Sequence, residues 1–129
     1  MKNKMLSYKK FVGLLATLPI VTLPLWSGAA LAETLKTKSF NIKITRNCPE
    51  GSVTCNHVTY YGRNLKTGAS IHLTGKTIHT TCADGVTPCR FLGYEFRNQQ
   101  YIYQVTEDGR LQIYQGKKLI LEERGVLTS

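Results

Sequence analysis

Apolar residues recur at every second position in a series of short runs: Phe40, Ile42 and Ile44; Ala69, Ile71 and Leu73; Leu92, Tyr94 and Phe96; Tyr101, Tyr103 and Val105; Leu111 and Ile113. Alternation with period two marks a strand with one face buried, whereas the 3.6-residue period of an amphipathic helix is hard to find after Glu33. Short alternating runs between glycine-containing turns predict an all-β domain, a small barrel or sandwich.

The C-terminal runs predict a three-stranded meander. Glu107-Asp108-Gly109 reads as a three-residue hairpin loop that pairs Val105 with Leu111 and Tyr103 with Ile113. Gly116-Lys117 reads as a two-residue turn that sets Ile113 against Ile120 and Tyr114 against Leu119. This meander carries apolar residues on both faces, so either both faces are covered or one is a binding patch. Tyrosine is enriched at recognition surfaces, and Tyr101 and Tyr114 are the candidates for such a patch.

Further upstream, the segment 69–81 reads as a hairpin about a Gly75-Lys76 turn. That register sets His72 opposite His79 on the polar face, with Cβ atoms about 5 Å apart. Two such imidazoles can chelate Zn²⁺ or Cu²⁺ if another ligand, for which His57 is the candidate, completes the set. A solvent-facing pair without a ligand, repelling when both are protonated, is the plainer alternative.

An internal repeat underlies the middle of the chain. Residues 44–64 align without gaps on 78–98 at an offset of 34, matching Ile44, Cys48, Gly51, Cys55, Tyr60, Arg63 and Asn64 to Ile78, Cys82, Gly85, Cys89, Tyr94, Arg97 and Asn98. Each unit holds C-x-[DE]-G-x3-C, a polar turn between two cysteines, followed by a strand-like run. The shared C-x6-C spacing favours local bridges, Cys48 with Cys55 and Cys82 with Cys89. Each would stabilise by about 2.5 kcal/mol on the loop-entropy argument, against about 4 kcal/mol for a crossed Cys48–Cys89 bridge. Zinc knuckles use C-x2-4-C and redox sites C-x-x-C, so neither spacing fits.

The N-terminus changes how the charge is counted. Lys2, Lys4, Lys9 and Lys10 precede an apolar stretch, Phe11 to Trp26, which is broken by Pro19 and Pro24; Ala30 and Ala32 then occupy an A-x-A cleavage site. Residues 1–32 are thus expected to be a cleavable secretory signal, leaving 33–129 as a single exported domain, periplasmic or secreted, with no membrane span. Removing four lysines lowers the net charge of +9 to +5. The remaining cations look dispersed, without a basic stripe interleaved with aromatics, which argues against nucleic acid. An unknown protein or an anionic envelope component is the expected partner.

Catalytic motifs are absent: there is no G-x-S-x-G elbow, H-E-x-x-H pair or phosphate loop. Glu50 and Asp84 recur at matching repeat positions, which admits a small hydrolase with paired carboxylates, but acid plus glycine is also ordinary turn chemistry. A small exported β domain with two bridges is similar in class to periplasmic lysozyme inhibitors, with no inhibitory-loop motif to carry over. The expectation is a non-enzymatic envelope binding or accessory domain, inhibitor-like in class, with no cofactor; the alternatives are a periplasmic metal-binding protein and a small hydrolase.

Overall fold

The computed structural model describes residues 31–129, whose regular structure is entirely β. The strands are β1 (Leu31–Lys36), β2 (Phe40–Arg46), β3 (Val58–Asn64), β4 (Ser70–Thr81), β5 (Pro88–Asn98), β6 (Tyr101–Thr106), β7 (Arg110–Gln115), β8 (Lys118–Arg124) and β9 (Val126–Thr128). All pairs are antiparallel, and the nine strands form one sheet in the order β8-β7-β6-β5-β4-β3-β2-β1-β9. One sheet curled on itself makes a nearly closed barrel rather than a sandwich.

Closure depends on a bend in the last strand. β8 pairs with β7; past Gly125 the chain continues as β9, which pairs Leu127 with Leu35 of β1. A Cβ on Gly125 would lie 2.0 Å from the Lys36 carbonyl oxygen, so only glycine lets the bend pass this close to β1. Glu123 fastens the same seam: one carboxylate oxygen accepts the Thr37 hydroxyl at 2.7 Å and the Ser39 N–H at 3.0 Å.

Inward-pointing residues of alternating strands fill the barrel. Leu35, Ile42, Ile44, Val58, Tyr60, Tyr94, Phe96, Val105 and Leu111 are all buried. Tyr60 sits centrally, its ring centroid 5.0 Å from Phe96 and 5.6 Å from Tyr103. Burial, with a smaller contribution from Tyr103, pushes the Tyr60 hydroxyl well above its usual pKa.

Both disulfides are local. Cys48–Cys55 closes the β2–β3 loop and Cys82–Cys89 the β4–β5 turn, with Cα separations of 5.8 and 5.1 Å. The two C-x6-C units thus occupy alternate hairpins, β2–β3 and β4–β5, but differ in register. Ile44 pairs with Tyr60, whereas Thr77, not Ile78, pairs with Tyr94. Irregularities between Ile78 and Thr81 leave Phe91 rather than Leu92 packed against the core.

The meander forms with Val105 against Leu111 and Tyr103 against Ile113, as its turn predicts. Its last hairpin needs one correction: Tyr114 meets Leu119, but Ile113 meets Leu121, because a register shift after Ile113 sets Ile120 aside, 46% exposed. A larger correction concerns 69–81. There is no turn at Gly75-Lys76, and β4 runs straight through both residues. Gly75 serves a different need, since a Cβ there would lie 2.0 Å from the Glu95 carbonyl oxygen of β5. Of the expected leader, only Leu31 and Ala32 are described, as the first two residues of β1; the rest lies outside the described residues.

Candidate functional site

Charge on this barrel is segregated. Residues 33–81 hold seven Lys and Arg against two Asp and Glu, while residues 82–129 hold six against six. The whole +5 of the expected mature chain therefore belongs to β1–β4 and their loops. Sheet register then gathers part of it into a patch. Thr34, Lys43, Tyr61 and His72 lie in one cross-strand row on the outer face of β1–β4, and Lys36, Asn41, Arg63 and Ser70 form the next row.

The side chains of Lys36, Lys43, Arg63 and His72 are exposed, and Tyr61, 39% exposed, packs its ring 4.5 Å from the His72 ring. Strands β2, β3 and β4 contain no acidic residue. All five ion pairs among the described residues involve Arg90, Arg97, Arg110 or Arg124, which lie on the other half. Unpaired cations around an exposed aromatic ring can attract an anion and give it a flat surface to rest on.

One mouth of the barrel carries a smaller polar group. Glu33 points inward and accepts the Tyr94 hydroxyl at 2.5 Å, while the Arg46 guanidinium lies 5.6 Å from the centre of the Phe91 ring. Burial first, then the bond to Glu33, raises the Tyr94 pKa, and Arg46 opposes both. A tyrosine so held is a hydrogen-bond donor, not a base.

The expected histidine pair does not form. His72 lies opposite Tyr61 of β3, and His79 lies opposite Phe91 of β5, so the two are seven residues apart along one strand. At about 3.3 Å per residue that separation is about 23 Å, beyond a shared ion. The error follows from the misread glycine, because the pairing required a turn at Gly75. Among the described residues no three of His, Cys, Asp and Glu converge to hold a metal ion.

Tyr101 and Tyr114 are also divided. Tyr101 points inward and packs against the core, whereas Tyr114 points outward between Ile102 and Leu119. They do not form one patch. Asp84 spends its carboxylate on its own turn, accepting the Val86 and Thr87 N–H groups at 2.9 Å each and the Thr87 hydroxyl. These bonds, the hydroxyl foremost, lower its pKa to about 2.

Fold and surface together define a class: a small disulfide-braced β-barrel with a cationic outer face. No family model, no curated protein and no solved structure matches the chain. Lys43, Arg63, Tyr61 and Lys36 were missed from sequence because charge was counted over the whole mature chain. Counting it separately on either side of Thr81 would have exposed the imbalance.

Proposed function

We propose that this chain is an exported, non-enzymatic binding domain of the cell envelope, periplasmic or secreted, whose outer face over β1–β4 docks an anionic envelope component. The observation that carries the reading is the row of Lys43, Tyr61 and His72 beside Lys36 and Arg63, exposed and outside every ion pair among the described residues. Exposed cations are open to a partner, and Lys36, Lys43 and Arg63, on neighbouring strands and separated by about 8–10 Å, suit a partner with repeated anionic groups.

Two disulfides and no free cysteine among the described residues suit an oxidising environment. The lysine-rich leader with its A-x-A site supplies the route to that environment, and the paired C-x6-C hairpins supply stiffness. Titration of the mature protein with dextran sulfate, against neutral dextran as control, tests the reading. Binding to the sulfated polymer should weaken steeply as salt rises, because the contacts are solvent-exposed charges. Equal affinity for the two polymers sinks the proposal. The export component is checked separately by intact mass, which should equal residues 33–129 less four hydrogens.

A further inference from the structure

We infer that the upper half of β4 is a docking edge for an extended peptide segment of a partner protein. β3 begins at Val58, which pairs with Gly75, but β4 continues to Thr81. Beyond Gly75, β4 has β5 on one side; on the β3 side the only ladder-like contact among the described residues comes from the disulfide loop. There the Thr77 N–H donates to the Cys55 carbonyl at 2.9 Å, and the Cys55 N–H donates to the Thr77 hydroxyl at 3.0 Å. Because main-chain groups alternate along a strand, the N–H and C=O of His79 and Thr81 point the same way as those of Thr77. No strand among the described residues takes them.

The space in front of them is a groove of about 410 Å³. Thr54 and Asn56, on either side of Cys55, form one wall, Val86 and Pro88 of the second disulfide loop form the other, and Lys76 to Thr81 form the floor, with Glu95 of β5 at the Lys76 end. Both walls belong to loops closed by disulfides, so the groove is held open without an occupant. Val86 is 80% exposed and offers an apolar surface to whatever lies there.

Main-chain donors and acceptors repeating about every 6.6 Å along a strand are matched by another extended backbone. Ile78, Thr80 and Thr81 are β-branched and hold the edge extended. The walls select the occupant: a recessed edge four residues long admits a lone strand, whereas the edge of a second barrel would bring each copy's loops against the other's. Recognition is through the main chain, with one small or β-branched side chain resting on Val86 and Pro88. This site is independent of the cationic face.

The test begins with selection of linear heptapeptides by phage display on the native mature protein. The tightest sequence is then synthesised and measured by calorimetry. Expected are a dissociation constant in the micromolar range, protection of the His79 and Thr81 amides from hydrogen exchange on binding, and a period-two response to N-methylation. Methyl groups on alternate peptide nitrogens, those facing β4, should each lower affinity at least about tenfold, and those on the intervening nitrogens should be tolerated. Because these changes are made in the peptide, misfolding of the protein cannot imitate them. A Lys43→Glu/Arg63→Glu variant should bind the peptide as well as the native protein does. Failure to select any peptide tighter than about 100 μM, or indifference to N-methylation, overturns the inference. So does protection of both amides before peptide is added, because a second copy would then be the occupant.

Discussion

The barrel divides between β4 and β5 into halves that use charge in opposite ways. On β5–β8, arginines are matched to carboxylates: Arg110 bridges Asp108 and Glu122 at 3.2 Å each, and Arg90 meets Glu107 at 3.1 Å. On β1–β4, Lys36, Lys43 and Arg63 stand outside every ion pair among the described residues. The first half neutralises itself and the second does not. Exposed ion pairs contribute little to stability, so the difference bears less on how tightly the barrel folds than on what each half can attract. A partner's anions would displace only water from one half, but must compete with carboxylates on the other.

The halves are joined twice, by the β4–β5 ladder and at the Gly125 bend, and breaking the second joint should give the largest effect. Gly125→Ala places a methyl group 2.0 Å from the Lys36 oxygen and 3.1 Å from a Thr37 methyl, with backbone on one side that cannot give way cheaply. We expect a loss of about 3 kcal/mol, read as a lower urea midpoint. An unchanged midpoint would mean that the close approach at this seam contributes nothing to stability.

Next in size is the effect that distinguishes the halves. Lys43→Glu/Arg63→Glu and Lys117→Glu/Lys118→Glu change net charge by the same amount, one on each half. The first should weaken dextran sulfate binding at least tenfold, about 1.4 kcal/mol, and the second less than twofold. Both substitutions are at exposed positions, so urea midpoints should stay close to native. Equal losses would show that net charge, not the β1–β4 face, governs binding.

Local chemistry made much of this fold legible in the sequence. The meander pairs came from turns whose residues lie within a few positions of their partners, and the disulfides from spacing alone. The histidine hairpin failed for a nonlocal reason: a glycine that makes a turn and a glycine that lets another backbone pass look alike, and the decisive neighbour, Glu95, lies 20 residues away. Pairing Tyr101 with Tyr114 failed by parity, since one faces the core and the other solvent. The charge imbalance was present in the sequence throughout, but placing Lys43 beside Tyr61 and His72 required the strand register.

A smaller effect should appear at the seam under acid. Partial burial pulls the Glu123 pKa upward, but the Thr37 and Ser39 hydrogen bonds and nearby Lys38 outweigh it, so the net shift is downward. A carboxylate with a depressed folded pKa contributes stability that is present above its unfolded pKa and is lost as pH falls through the folded value. Glu123→Gln should therefore cost about 1 kcal/mol at pH 7, and the gap to native should close as both proteins are acidified below the ordinary carboxylate range. A gap that persists there would assign the loss to packing rather than charge.

The smallest effect is expected in the self-neutralised half. The Arg110 side chain is 34% exposed, and its contacts to Asp108 and Glu122 lie at the surface, where water and salt compete. Nearby carboxylates raise the Arg110 pKa, the bond to Asp108 foremost, so the residue stays charged at any accessible pH. Arg110→Gln should move the urea midpoint by little more than its measurement error at low salt and by nothing resolvable at high salt. Dextran sulfate binding should be unaffected, because this guanidinium is already committed to carboxylates of its own chain. If Arg110→Gln instead weakened polymer binding as much as reversing Lys43 and Arg63, carboxylate pairing would not be what separates the two halves, and the anionic partner would have to be placed on both.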